Sequence, residues 1–390
     1  MPQEEPRGSE RLGSYLRRLR EGYGYTLRKV EERSTSIGDP IDNSQLSRFE
    51  KGKAYPSFDK LRVLARIFNV SVQNFSDIID LEQFDHLKPA PAPFETLMGE
   101  GWTAFDRGEY GRAYVTFEQA FETAGFQANS TTDAANESRL WMAISLKKLG
   151  KLSMAEAELR TLLRHRRSLG RKVGVRALLQ LSLVLRELGD LYLAAVSARE
   201  CLHQASELGD LDAQASVLNM LANVHEAEDD HEEAATYYER ALRVVEQLGG
   251  RDDMRATILI NLGGCRAALG RVDAGTRLIR EALDISKAKS LRRIEALALT
   301  RMAEISIERG DLKRAKTLLL ESDVAAKSGE EQYVDILFLN TFRAWEMARR
   351  ESNAVREKLA LGRLKHYRPL LERRFPEVDK FDAHVGRGQQ

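Results

Sequence analysis

A chain of 390 residues with 43% hydrophobic and 31% charged side chains has the composition of a folded protein, not a disordered one, and is long enough for two or three domains. The formal net charge of +1 hides a mildly basic N-terminal stretch, with 13 Lys/Arg against 8 Asp/Glu between Ser9 and Val70, an excess too small by itself to argue for DNA. No apolar run approaches membrane-spanning length and the opening MPQEEPRGSE is polar and acidic, unlike a signal peptide, so a cytoplasmic protein is expected. Cys201 and Cys265 lie far apart inside helical patterns, which reads as small buried residues in a reducing compartment and leaves no zinc spacing.

Residues 1–8 are expected to be disordered, and five short helical patterns follow between Ser9 and Leu81. Leu12, Leu16 and Leu19 mark the first, which ends at Gly22. Thr26 caps the second, with Leu27 and Val30 inward; Asn43 to Glu50 makes the third, Asp59 to Phe68 the fourth, and Ser71 caps the fifth. In the third helix Leu46 and Phe49 are three apart and pack inward, while Asn43, Ser44 and Arg48 face outward with Gln45 at the edge. Gly52 ends that helix between Lys51 and Lys53.

The run Ile41 to Lys53, closed by Pro56, resembles the recognition helix of phage-repressor-type helix-turn-helix domains. The resemblance implies that Asn43, Ser44, Gln45, Ser47 and Arg48 reach base edges in a major groove, with Arg48 pairing a guanine or a phosphate. Lys51 and Lys53 would meet phosphates, as would Thr26 and Arg28 at the start of the second helix. It also implies that Arg20 pairs with Glu50 to lock the first helix to the third. Two departures stand out: Glu31 occupies a position where the family commonly has alanine, and the connector Ser34 to Asp42 is long, which predicts a slightly displaced recognition helix. A solvated helix face in a five-helix adaptor is the competing reading.

After residues 9–87 comes KPAPAP, residues 88–93, which cannot continue a helix and reads as a short stiff spacer. Beyond it a turn residue recurs roughly every 40 positions, at Gly108, Gly150, Gly189, Asp229, Gly270 and Gly310. Five residues after each stands Ala113, Ala155, Ala194, Ala234, Gly275 or Ala315, and four further on Phe117, Leu159, Ala198, Tyr238, Ile279 or Leu319. Three more bring Ala120, Leu162, Cys201, Ala241, Ala282 and Ser322, and a second punctuation set falls at Gly170, Gly209, Gly249 and Gly329. The turn residue ends one helix, the small residue lets the next approach closely, and the +4 and +3 steps keep one apolar stripe in register. Each unit is then an antiparallel helix pair that must stack on a neighbour.

This pattern resembles the tetratricopeptide repeat, most clearly between Ala256 and Ala282, where Leu262-Gly263, Gly270 and Ala282 recur. The resemblance runs from about residue 94 to 330, with a degenerate seventh unit at Asp335 to Leu361, and the repeat domain is expected over 94–361. It implies an all-α fold: a five-helix reader, then a right-handed superhelix of six or seven helix pairs. The period exceeds the usual ~34 residues, as in the longer-repeat branch of bacterial signal-responsive regulators. In such repeats the first helix of each pair lines the groove, and Asn219 and Asn223, four apart, face into it; groove asparagines of related regulators hold a peptide backbone. Asn261 sits off that face and reads as structural.

No catalytic constellation is present: the seven histidines share no triad or ligand spacing with an acid or nucleophile, and Gly263-Gly264 lies within a helix pattern with no preceding strand. No enzyme activity, cofactor or metal is expected. The basic residues Arg160, Arg164, Arg166, Arg167, Arg171, Lys172 and Arg176 surround one inter-repeat loop, as a partner or DNA surface or as a solvated loop. In residues 362–390 the segment His366 to Val385 is amphipathic through Leu370, Leu371, Phe375, Val378 and Phe381, and is expected to cap the last repeat or to dimerise. The expected function is a homodimeric, sequence-specific DNA-binding transcription regulator whose repeats take a peptide or protein partner. A scaffold that does not use its reader for DNA is the alternative.

Overall fold

The computed structural model describes residues 8–126, 132–164, 169–328, 332–371 and 375–387, and no strand occurs among them. The chain divides into two compact units between Val173 and Gly174. The N-terminal stretch expected to be disordered, apart from Gly8, and the expected punctuation residue Gly329 lie outside the described residues.

In the first unit α1 (Glu10–Gly22), α2 (Leu27–Ile37), α3 (Asn43–Glu50), α4 (Phe58–Phe68) and α5 (Val72–Asp80) precede a 3₁₀ segment, Leu81–Leu87. Each α-helix is opened by a side chain, Ser9, Thr26, Asp42, Ser57 or Ser71, that accepts the amide three residues on. Such a cap stabilises by about 1 kcal/mol, and five of them fix where these short helices start. Leu12, Leu16, Val30, Leu46, Leu64, Phe68 and Phe75 fill the core between them.

The long connector does not exist as expected. α2 continues to Ile37, so only residues 38–42 separate it from α3. The buried Ser34 hydroxyl donates to the Glu31 carbonyl at 2.8 Å while accepting the Ile41 amide at 2.8 Å, and Gly38 closes the helix at φ +97°. Lys60 then holds the turn through Asp39 and the Pro40 carbonyl. Close helix approach in this bundle occurs at Gly13 of α1, where a Cβ would stand 2.6 Å from the Phe49 carbonyl oxygen at the end of α3. Glu31 is half-buried on α2.

Residues 88–93 lead to two helix pairs of the first unit, α6 (Phe94–Asp106) with α7 (Tyr110–Phe126) and α8 (Thr132–Lys148) with α9 (Leu152–Arg164). Pairs in the second unit are α10 (Arg171–Glu187, whose first turn belongs to the first unit) with α11 (Leu191–Leu208), α12 (Leu211–Ala227) with α13 (His231–Leu248), and α14 (Asp252–Ala268) with α15 (Val272–Ala288). They continue with α16 (Arg292–Glu308) and α17 (Leu312–Lys327), then α18 (Val334–Arg350) and α19 (Ala354–Tyr367). The last pair is the degenerate seventh unit, and its α19 runs past residue 361 to Tyr367 because Leu364 and Tyr367 still have core to bury.

All six turn residues of the repeat pattern are left-handed, with φ between +59° at Asp229 and +87° at Gly189, and Ser352 at +52° makes the seventh. The small or apolar residues five, nine and twelve positions after each turn are buried in every one of the six units. Fifth-pair packing shows why size is limited: a Cβ on Gly275 would fall 2.3 Å from the Gly263 carbonyl oxygen. After α19, helix α20 (Pro376–Arg387) buries Val378 and Phe381 against Phe338, covering the end of the last pair. Leu370, expected on that apolar face, is instead exposed, since it sits in the 3₁₀ turn between α19 and α20.

Gly275→Ala should therefore lower stability by about 2–3 kcal/mol, the upper part of the range for overpacking a core. Gly99→Ala, where a Cβ meets nothing within 4 Å, should leave stability unchanged or raise it by up to about 1 kcal/mol. Denaturant midpoints of the two variants provide the comparison.

Candidate DNA-reading surface and repeat groove

α3 presents Asn43, Ser44, Gln45 and Arg48 to solvent, while Leu46, Phe49 and Glu50 are buried beneath. Ser47 is half-buried, at the border of the two faces. The helix is held from below by Arg20, whose Nε and Nη2 donate to the two Glu50 carboxylate oxygens at 2.6 and 2.9 Å, the bidentate pair the resemblance implied. Both side chains are largely shielded, so the pair is stronger than a surface salt bridge, and losing either partner leaves a buried charge. At the C-terminal end Gly52 takes φ +63° and the Lys53 amide closes on the Arg48 carbonyl at 2.9 Å, leaving Lys51 and Lys53 exposed.

Thr26 and Arg28 are exposed at the start of α2, but Thr26 Oγ1 already accepts the Lys29 amide at 3.1 Å, so fewer amides are free there than expected. Sequence reasoning missed Asp42, whose carboxylate accepts the Gln45 amide at 2.8 Å and sets the start of α3. Its signal was present: an aspartate directly ahead of a short polar-and-apolar helix.

The reader does not hang from its spacer. Arg11 of α1 donates from Nη1 and Nη2 to both oxygens of Glu118 on α7, at 2.9 and 2.7 Å, and from Nε to Asp85 at 2.6 Å. Lys151, at the head of α9, joins Asp77 at 3.1 Å and Asp80 at 2.5 Å on α5. Phe84 of the 3₁₀ segment lies over Gly111, where a Cβ would come within 2.2 Å of the ring. Burial and the adjacent Glu118 push the Tyr114 phenol up, so its hydroxyl stays protonated and donates to Glu118 at 3.2 Å. None of the residues on the α3 recognition face takes part in this docking.

In the second unit the two groove asparagines part company. Asn223 Oδ1 lies 2.6 Å from the buried Tyr238 hydroxyl, which also lies 2.8 Å from Glu226 and shares its one proton between them. Asn261 Nδ2 donates to the same Asn223 oxygen at 3.4 Å, so Asn261 sits beside this cluster and not off its face. Asn219 Oδ1 is sheltered and has no hydrogen-bond partner. From Glu226 a charge ladder continues over the first helices of later pairs: Arg301, Glu304, Arg343 and then Glu346 and Glu377. Arg301 passes over Gly264, where a Cβ would be 3.3 Å from its Nε. The legible signal was a repeated Arg-x-x-Glu, Arg301/Glu304 and Arg343/Glu346, at one position of consecutive units.

Burial pushes the thiols of Cys201 and Cys265 up to about 12, so neither is a thiolate nucleophile at neutral pH. Of the basic cluster, Arg160 is paired with Glu156 at 2.7 Å, and Arg166 and Arg167 lie outside the described residues.

Residues 16–75 match the helix-turn-helix family model, and residues 174–247 and 213–288 match the tetratricopeptide repeat model. The chain thus contains a helix-turn-helix domain and tetratricopeptide repeats. No curated protein sequence matches it. Among solved structures it is similar to aspartyl phosphate phosphatase F from Bacillus subtilis, with 12% identity and a TM-score of 0.56 over 92% of this chain and 95% of that chain. The Rap conjugation gene regulator of plasmid pLS20, solved in complex with the Phr* peptide, gives 13% identity and a TM-score of 0.53 over 92% and 95%. Bacillus thuringiensis PlcR, in complex with the peptide PapR7 and DNA, gives 18% identity and a TM-score of 0.42 over 74% and 99%. At these identities the first two likenesses speak to the fold.

Two outcomes are expected. Arg11→Ala and Glu118→Ala should each cost about 2–3 kcal/mol, below the ~3–5 kcal/mol for breaking a fully buried pair because this one is partly exposed, and raise hydrogen exchange in residues 81–87. A double-mutant cycle should return a coupling above about 1 kcal/mol. Asn223→Ala should cost about 1–2 kcal/mol because Tyr238 and Asn261 lose an acceptor, whereas Asn219→Ala removes an unsatisfied atom and should cost less than about 0.5 kcal/mol; thermal unfolding of both variants checks the difference.

Proposed function

We propose that the protein is a cytoplasmic, sequence-specific DNA-binding transcription regulator that works as a homodimer on paired half-sites and is not an enzyme. The observation that carries this reading is the open recognition face: Asn43, Ser44, Gln45 and Arg48 are free for base edges while other faces of the same bundle are occupied by the repeats. Lys51 and Lys53 flank it as phosphate contacts. A small reader bound to one half-site gives little specificity, and two copies on a repeated site supply it. Among the described residues no helix is long and apolar enough to cross a membrane, which is compatible with action on cytoplasmic DNA.

The repeats take a peptide or protein partner along their first helices. Asn219 Oδ1, sheltered and unpaired, is the candidate acceptor for a peptide N–H, and Asn223 shapes the wall beside it. The peptide complex of the pLS20 Rap regulator, a protein of similar fold, supports a ligand of that class.

Selection of DNA from a random pool, with and without cell extract, identifies the operator and any ligand effect. On that operator Arg48→Ala should relax sequence preference by about 1–3 kcal/mol at one position. Lys53→Ala should weaken binding to all sequences and reduce the salt slope by about one. A wild-type chain without salt-sensitive DNA affinity overturns the proposal, and so does full function after substitution of Asn43, Ser44 and Arg48; the protein would then be an interaction scaffold.

A further inference from the structure

Two aspartates stand ahead of α3, and the fold treats them differently. Asp39, in the turn, is paired with Lys60, which also holds the Pro40 carbonyl. Asp42 is exposed and has no ion-pair partner among the described residues. Its Oδ1 accepts the Gln45 amide at 2.8 Å as the helix cap. That bond, on an extended backbone (φ −72°, ψ 160°), fixes the side chain at the tip of the helix. Its Oδ2 makes no hydrogen bond among the described residues. The exposed Asn43 and Ser44 follow directly, so Oδ2 stands at the end of α3 that meets base edges when such a helix enters a major groove.

We propose that Asp42 is a specificity-determining residue: its Oδ2 accepts a hydrogen bond from the N4 amine of a cytosine and disfavours every other base at that position. The inference rests on reading α3 as the recognition helix. A carboxylate accepts hydrogen bonds and donates none. In a groove walled by phosphates its charge is repelled unless a base edge supplies a donor. Guanine shows two acceptors in the major groove, and thymine shows one beside a methyl group. Adenine sets its N6 donor next to the N7 acceptor, whereas cytosine shows its N4 amine with no acceptor of its own. Cytosine is therefore the base that relieves Asp42. The same charge lowers affinity for DNA in general, and Lys60 keeps Asp39 from adding a second one.

Selection from a random duplex pool by the full-length wild type, Asp42→Asn and Asp42→Ser tests the assignment. Asparagine and serine cap helices about as well as aspartate, so the melting temperature should not move. The wild type should enrich a cytosine at one position. In Asp42→Asn the carboxamide oxygen keeps the cap and its NH₂ replaces Oδ2, so that position should move to a base with an acceptor, such as thymine, while the others persist. Asp42→Ser should leave it degenerate. On the selected duplex, a pyrimidin-2-one nucleotide in place of that cytosine removes only the N4 amine. It should weaken wild-type binding about 5- to 150-fold and Asp42→Ser binding by less than about threefold. On random-sequence DNA at low salt the sign reverses. Asp42→Asn should bind about two- to threefold more tightly, the effect of removing one charge about 7 Å from a phosphate in water. Unchanged base preference in Asp42→Asn, or no gain on random-sequence DNA, overturns the proposal and leaves Asp42 a helix cap. If Arg48→Ala still alters the selected sequence in that case, DNA reading by α3 stands and only the role of Asp42 falls. A wild type that enriches no sequence removes both.

Discussion

An amphipathic helix pair cannot bury its own stripe, and most of this molecule answers that constraint. Within a pair, the second helix must come close enough to share a core with the first, which confines the position five residues after each of the first six turns to alanine or, where Gly263 and Gly275 approach most closely, glycine. At the ends of the array the stripe has no further pair to meet. In the second unit α20 supplies the cover, with Val378 and Phe381 against Phe338. In the first unit the reader does the same for the opening pair: Phe84 sits on Gly111 and Arg11 reaches Glu118. The DNA-binding bundle is thus also a capping element, and its position on the first two pairs is set by packing, not by the stiffness of residues 88–93.

This dual role explains what was legible in the sequence and what was not. Caps and periodicity are local, so α1 to α5, the turn positions and the buried set at Ala113, Phe117, Ala120 and their equivalents could be read directly. The connector before α3 was misjudged because Ser34 and Thr35 read as loop residues. In the fold Ser34 bonds back to its own helix and forward to Ile41, a use of serine that only the tertiary turn reveals. The reader–repeat clamp joins residues 74 and 107 apart and leaves no periodic trace. Asn261 was misplaced for a related reason: helical register put it off the groove face, but its amide reaches sideways to Asn223 in the preceding pair.

The groove combines two kinds of polar group with different consequences. Asn223 is held by Tyr238, whose hydroxyl burial keeps protonated, and so belongs to the wall. The ladder sets two arginines, Arg301 and Arg343, among four carboxylates, Glu226, Glu304, Glu346 and Glu377, so each arginine is paired and the strip is net acidic. It links the first helices of three pairs and α20 by contacts that all depend on the spacing of those helices. Arg301 reaches from α16 to Glu226 on α12 across Gly264 of the intervening α14, where a Cβ would crowd its guanidinium at 3.3 Å. Along these first helices lie the sheltered, unpaired Asn219 Oδ1, the side-chain-free Gly264 and the paired charges of the ladder. Each arginine of the ladder must lose a carboxylate before it can gain another.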